Sequence, residues 1–197
     1  MRIKQVRSIV FVISIVVITM MFADCTPQVR LPVLGKNDVV LAFGDSITFG
    51  TGAESQKSYP AVLEQIIGRR VINAGVPGEV TAEGLARLPD VLERERPLIV
   101  ILCLGGNDFL RRMNRNEAAA NIREMVLICR QKGAAVVMLA VPALGLSVSP
   151  EPLYREIARK MNVPLEEKTL SAILADRTLK SDIIHPNAAG YRRLAEA

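Results

Sequence analysis

Tryptophan is absent from this sequence, histidine occurs once, and aromatic residues make up only 4% of the chain. Because aromatic side chains are few and basic residues are scattered, the sequence offers no stacking platform for nucleic acid, and we expect no nucleic-acid partner. The three cysteines form no CxxC pair and no cluster with histidine, which argues against a structural zinc site and against a disulfide framework. The first apolar strand is followed by neither a GxGxxG motif nor a P-loop lysine pattern, which disfavours a nucleotide-binding protein.

Length and composition favour one α/β domain. The 197 residues are 50% hydrophobic and 23% charged, with a net charge of +5, which suits a folded domain with a real core rather than a disordered chain. From residue 38 to residue 141, apolar runs of strand character alternate with segments of helical periodicity. Such alternation predicts a parallel β-sheet with helices on both faces.

The first 25 residues are typical of a targeting segment. A basic start precedes an almost wholly apolar run, Ser8–Ala23, which predicts an export signal or a short membrane anchor. The basic flank predicts a domain outside the cytoplasm, periplasmic or secreted, that contacts the membrane only through an uncleaved N-terminal segment. Cys25 lacks the small residue that usually precedes a lipidated cysteine. We therefore divide the chain into residues 1–25, a linker at 26–37 and a domain at 38–197, whose last helix we expect to be cut short at the C-terminus.

Three predicted strands end in glycine-containing loops that carry polar groups. Val39–Phe43 leads into Ser46, and later strands lead into Asn73–Gly78 and Asn107. Because open α/β sheets bind ligands at the carboxyl ends of their strands, we expect these groups to lie together. Ser46 is a candidate nucleophile, and the Gly78 N–H and the Asn107 carboxamide are candidate donors to an oxyanion. Taken alone, Ser46 would equally suit a helix N-cap and Asn107 a turn.

A serine nucleophile needs a base, because its hydroxyl is a poor nucleophile at neutral pH. His185 is the only histidine in the chain, so it is the one imidazole available for that role. Asp182 precedes it by three residues, a spacing that lets a carboxylate reach the ring and fix its tautomer. Pro186 restricts His185 to extended conformations. Each residue alone would also suit a surface loop, and it is their combination that points to catalysis.

Four short blocks of this sequence, in this order, resemble the four blocks of the SGNH (GDSL-type) hydrolases. They are Phe43–Ile47, Asn73–Gly78, Gly105–Asp108 and Asp182–Pro186. The stretch from Val71 to Pro97, with its Gly-Leu-Ala-Arg-Leu-Pro run, is especially similar to bacterial thioesterase I–lysophospholipase proteins.

This resemblance implies a flavodoxin-like three-layer α/β/α fold and ester hydrolysis through an acyl-enzyme, with no metal and no cofactor. It implies Ser46 as nucleophile, His185 as base and Asp182 as the residue that orients the base. It also implies an oxyanion hole made by the Ser46 N–H, the Gly78 N–H and the Asn107 side chain.

The expected substrate is a small acyl ester of the lysophospholipid, aryl ester or thioester type, hydrolysed by a monomeric serine esterase. Leu110, Val141, Pro142 and Leu144 are candidates to line the acyl pocket. The continuation at Ser147–Leu153 lacks the tyrosine-bearing polar run expected there in the thioesterase group. Two alternatives remain open, a carbohydrate O-acetylesterase and a catalytically silent binding module tethered to the membrane.

Overall fold

A single parallel sheet carries the polar loops that the sequence selects. The computed structural model describes residues 30–143 and 148–197. The sheet has the order β2-β1-β3-β4-β7. Its strands are β1 (Val40–Gly44), β2 (Val71–Gly75), β3 (Ile99–Cys103), β4 (Ala135–Leu139) and β7 (Leu165–Glu166). Between β4 and β7, a two-stranded antiparallel ribbon pairs β5 (Pro142–Ala143) with β6 (Ser149–Pro150).

Three neighbouring strands, β2, β1 and β3, end level with one another. Gly44 at the end of β1 lies opposite Gly75 of β2 and Cys103 of β3, and all three strands are parallel. Their following loops therefore begin at the same edge of the sheet. Every residue of β1 is buried, as expected for a parallel strand covered on both faces.

Helices cover both faces of the sheet. They are α1 (Ser46–Phe49), α2 (Tyr59–Ile67), α3 (Thr81–Glu95), α4 (Gly106–Leu110), α5 (Arg115–Gln131), α6 (Pro152–Met161), α7 (Thr169–Ala175) and α8 (Ala188–Ala195). Helix α3 packs on α5 and α5 on α6, whereas α2 and α7 both pack on α8. These two groups of helices enclose the sheet, so the predicted three-layer α/β/α fold is confirmed.

From local patterns alone, the sequence predicts a short strand at Val71–Ile72, a helix capped by Asn116 and a helix kinked or divided at Pro89, and the structure differs from each prediction. Strand β2 extends beyond Val71–Ile72 to Gly75, because parallel pairing with β1 continues along that length. Helix α5 is capped by Asn114 rather than Asn116: the Asn114 side chain accepts a hydrogen bond from the Asn116 N–H at 2.9 Å. Pro89 does not divide α3, which runs unbroken from Thr81 to Glu95.

The predicted export segment at residues 8–23 and the candidate pocket residue Leu144 lie outside the described residues. No helix within residues 30–143 or 148–197 is both long enough and apolar enough to cross a bilayer. Cys103 and Cys129 are buried free thiols, and burial raises the pKa of Cys129 to about 12. Both thiols therefore behave as small hydrophobic side chains of the core.

Candidate active site

Ser46 is placed by the end of the first strand. Gly44 is the last residue of β1, and its backbone lies very close to β3. A β-carbon at this position would be 2.1 Å from the Cys103 carbonyl oxygen. Asp45 then caps the short helix α1, its side chain accepting a hydrogen bond from the Ile47 N–H at 3.0 Å. The N-cap is thus Asp45, and Ser46 is the first helical residue, half-buried.

The only histidine of the chain lies against this serine. The Nε2 atom of His185 is 3.0 Å from the Ser46 hydroxyl oxygen, and its Nδ1 atom is 2.7 Å from Oδ2 of Asp182. An ionised carboxylate can accept hydrogen bonds but cannot donate them. The neutral ring therefore carries its proton on Nδ1, facing Asp182, and offers the Nε2 lone pair to the serine hydroxyl. This geometry permits proton transfer from serine to imidazole.

Asp182 is held in its ionised form by the loop that carries it. Its other oxygen, Oδ1, accepts hydrogen bonds from the backbone N–H groups of Ile184 and His185, both at 2.8 Å. Partial burial raises the pKa of Asp182, but the His185 side chain and these two N–H groups outweigh it, and the pKa falls below its usual value. The carboxylate therefore keeps its charge and continues to accept the hydrogen bond from Nδ1 of the His185 ring.

Asn107 is the second residue of α4, which follows β3, and Gly78 lies on the loop after β2. The Asn107 side chain donates hydrogen bonds to the Glu79 carbonyl at 2.9 Å and to Oδ2 of Asp45 at 3.4 Å. The Gly78 carbonyl accepts from Arg111 at 2.8 Å, and the Gly78 N–H has no acceptor within residues 30–143 and 148–197. Asn107 lines the same cavity as Ser46 and His185, whereas Gly78 is not among the residues that line it.

Sequence reasoning missed the buried charges behind these loops. The Arg87 guanidinium pairs with both oxygens of Glu79, donates to the Ala74 carbonyl at 2.9 Å, and lies 4.0 Å from the centre of the Phe43 ring. Glu79 is only 4% exposed, and its carbonyl is the acceptor for Asn107. The Gly-Leu-Ala-Arg-Leu-Pro run was the available signal, since Arg87 lies within it.

Asp45 is a second buried carboxyl at the site, 2% exposed. Burial raises its pKa to about 7, the Ile47 N–H lowers it in part, and the charges of Glu79 and Asp108 raise it further. Asp45 thus carries a proton for much of the time at neutral pH, directly behind Ser46.

A cavity of about 240 Å³ opens beside Ser46 and His185. Its volume is close to the lower end of the range for small-molecule sites, about 300 Å³. Leu110, Val141 and Pro142 lie in its wall, together with side chains that the sequence did not single out. These are Phe109, Arg112, Arg115, Leu170, Leu174 and Ile184. No three His, Cys, Asp or Glu side chains of the described residues are grouped so that they could hold a metal ion.

Comparison with known proteins places this arrangement in a family. Residues 42–193 match the GDSL-like lipase/acylhydrolase family. The chain is 31% identical to esterase TesA of Pseudomonas aeruginosa over 193 residues, which cover 90% of this chain and 94% of that protein. It is 28% identical to thioesterase 1/protease 1/lysophospholipase L1 of Escherichia coli strain K12 over 158 residues, covering 76% of each.

Solved structures agree with the sequence relatives. The crystal structure of TesA matches with a TM-score of 0.73 and 30% identity, covering 81% of this chain and 94% of that one. The SGNH-hydrolase family esterase AlinE4 matches with a TM-score of 0.66 and 32% identity, covering 83% and 94%. The chain therefore belongs to the GDSL-like lipase/acylhydrolase family of SGNH hydrolases, and it is a carboxylic ester hydrolase.

Proposed function

We propose that the protein is a serine esterase that cleaves acyl esters through a covalent acyl-enzyme, with Ser46 as nucleophile. The observation that carries this proposal is the unbroken chain of short contacts from Asp182 through His185 to Ser46, at 2.7 Å and 3.0 Å. Serine and histidine within hydrogen-bond reach, with a third group orienting the histidine, are the requirements for an activated nucleophile.

In the first half of the reaction, the Ser46 oxygen attacks the acyl carbonyl while His185 Nε2 takes its proton. Asp182 stabilises the imidazolium that results. Collapse of the tetrahedral intermediate breaks the bond to the alcohol or thiol, which leaves with the proton from His185. Water then attacks the acyl-enzyme by the same route, and the carboxylic acid is released with Ser46 restored.

The negative oxygen of the tetrahedral intermediate needs donors that are already in position. The N–H of Ser46 at the start of α1, the N–H of Gly78 and the side chain of Asn107 are our candidates. Asn107 now donates to the Glu79 carbonyl at 2.9 Å and, over a longer 3.4 Å, to Oδ2 of Asp45, and this longer contact is the one that the oxyanion would replace. Each such donor contributes about 3 kcal/mol of transition-state stabilisation.

For the substrate, we propose an ester with a short to medium apolar acyl chain. Leu110, Val141 and Pro142 give the cavity an apolar wall next to Ser46. Each methylene buried against such a wall stabilises the bound chain by about 0.8 kcal/mol, or about fourfold in kcat/KM. Relatives named thioesterase, lysophospholipase and arylesterase are consistent with an acyl group as the recognised part.

The test uses the full-length protein and 4-nitrophenyl esters from acetate to dodecanoate, together with labelling by a fluorophosphonate. We expect kcat/KM to rise with acyl length until the cavity is filled, and we expect the probe to label Ser46. Ser46→Ala should abolish both signals, whereas Ser55→Ala, at an exposed serine, is the matched control.

Unchanged turnover in Ser46→Ala would overturn the assignment of the nucleophile. Folded wild-type protein that neither labels nor turns over any ester would favour the silent binding module instead. Fastest turnover of the acetate ester would favour the carbohydrate O-acetylesterase.

A further inference from the structure

Two arginines, one in the loop between α4 and α5 and one at the start of α5, line the cavity that holds Ser46. They are Arg112 and Arg115, and they differ in what neutralises them. Arg115 pairs with Glu151 at 3.4 Å and lies 5.8 Å from the centre of the Phe109 ring. Arg112 has no acidic group within 4.0 Å and no side-chain hydrogen bond within residues 30–143 and 148–197. The cation at Arg112 is therefore unneutralised by that part of the chain.

The backbone fixes Arg112 in this place. Its φ is +55°, a left-handed conformation that is uncommon for residues with a side chain. Its N–H bonds to the Phe109 carbonyl at 3.1 Å, and the preceding Arg111 is tied to the Gly78 carbonyl. On the other side, Asn114 caps α5. A strained residue between two anchored neighbours at the edge of a cavity is a place to look for function.

The acidic groups near the cavity are already engaged. Asp182 is bound by His185, and Glu151 faces Arg115. Asp45 is buried, its Oδ1 is held by the Ile47 N–H, and it is partly protonated at neutral pH. The described wall of the cavity thus leaves one positive charge, on Arg112, without a compensating negative one.

We infer that Arg112 forms an anion subsite, so that the preferred ester carries a phosphate or a carboxylate on its leaving-group side. This inference rests on the proposed function, because the acyl half and the leaving-group half of the substrate are defined by the ester bond that Ser46 would cleave. An apolar acyl chain belongs against Leu110, Val141 and Pro142, so the cation of Arg112, in the wall of the same cavity, is assigned to the other half of the ester. A guanidinium recognises both anions through paired N–H donors.

Three hexanoyl esters that share an acyl group separate the two anion sources from a neutral reference. They are the monohexanoyl esters of glycerol, of glycerol 3-phosphate and of glyceric acid. For the wild type, we expect kcat/KM to be highest for the phosphate or the carboxylate ester. Whichever anionic ester is preferred identifies the group that Arg112 recognises. Sodium chloride should raise KM for that ester, because salt screens an exposed charge pair.

The variants are Arg112→Gln, which removes the charge, and Arg112→Gly, which also suits the positive φ. In both, the ratio of kcat/KM for the anionic ester to that for the glycerol ester should fall at least about tenfold. Arg70→Gln is the matched control: it removes one positive charge just before β2, at the opposite edge of the sheet. A ratio that is unchanged in both Arg112 variants, or that falls equally in Arg70→Gln, would overturn the subsite.

Binding of hexyl phosphate, measured by calorimetry, separates this inference from the esterase proposal because it needs no turnover. We expect wild-type protein to bind hexyl phosphate at least about tenfold more tightly than Arg112→Gln does. If the wild type and Arg112→Gln bind hexyl phosphate equally well while esters are hydrolysed normally, the anion subsite is wrong and the esterase proposal stands. If the wild type binds hexyl phosphate more tightly than Arg112→Gln does but hydrolyses no ester, the anion site stands and the esterase proposal is wrong.

Discussion

The buried ion pair between Arg87 and Glu79 should be necessary for both the stability and the activity of this protein. We consider Arg87→Met, which keeps much of the length of the side chain and removes its charge. Glu79 would then remain 4% exposed with no cation to balance it, and the Ala74 carbonyl would lose its donor. Removing one partner of a buried pair costs about 3–5 kcal/mol, because the remaining charge is desolvated without compensation.

We expect a value near the lower end, about 3 kcal/mol, since the Arg87 side chain is itself 26% exposed and water can reach the vacated space. For a domain of this size, that loss lowers Tm by about 6–12 °C. Adding Glu79→Gln to Arg87→Met should restore part of the stability, because no unpaired charge is then buried. The same changes should lower kcat more than they raise KM, since the Glu79 carbonyl holds Asn107.

Urea unfolding followed by far-ultraviolet circular dichroism measures the effect, since the chain has no tryptophan to serve as a fluorescent probe. Arg94→Met is the matched control on the same helix: its partner is Glu95, and the Arg94 side chain is 63% exposed. Surface pairs of this kind contribute about 0–1 kcal/mol. If Arg87→Met and Arg94→Met unfold at the same urea concentration as the wild type, the reasoning about the buried charge is wrong.

Three further predictions concern the site itself. Asn107→Ala should lower kcat by about 10²–10³-fold in an ester hydrolysis assay, with little change in KM; a change confined to KM would contradict its role at the oxyanion. Asp182→Asn should lower kcat by about 10⁴-fold, because the amide favours the wrong tautomer of His185; near-normal turnover would remove Asp182 from the mechanism. Burial raises the pKa of Asp45 to about 7, so the folded protein keeps a proton that the unfolded chain releases. The free energy of unfolding should therefore fall by up to about 4 kcal/mol as the pH rises from 4 to 7, a slope that Asp45→Asn should lack.

The strands and the candidate catalytic loops could be predicted because their signals are local. A run such as Val40–Phe43 has no polar face, so it predicts a strand buried on both sides wherever it occurs. The single histidine left one base to choose, and the structure places it 3.0 Å from Ser46. Parallel topology brings the ends of β1, β2 and β3 to one edge, which accounts for the common edge of Ser46, Gly78 and Asn107 but not for His185, whose loop follows α7.

The support behind the site could not be predicted, because it depends on contacts between distant elements. The Gly-Leu-Ala-Arg-Leu-Pro run marks Arg87 but does not show that its partners lie at the end of β2 and in the loop after it, whereas Arg94 on the same helix is exposed. Arg112 was likewise one of several arginines in a polar stretch, and only its positive φ and its place in the cavity wall set it apart. For a related reason the sequence predicts Asn116 as the N-cap of α5 where the structure has Asn114, since asparagine is a good cap at either position and the turn before the helix decides between them.

The proposed nucleophile Ser46 and the proposed base His185 are 139 residues apart in sequence, and a contact between two loops brings them together. Gly52, in the loop behind α1, has a φ of +97° and lies directly against the loop of His185. A β-carbon at Gly52 would approach the Pro186 carbonyl oxygen to 2.7 Å and the Ser181 hydroxyl still more closely, so any side chain would force the loops apart. A separation of about 1 Å would already break a 3.0 Å hydrogen bond. The glycine-rich stretch after Ser46 therefore sets the distance across which the proton moves, which joins this turn of the fold to the proposed chemistry.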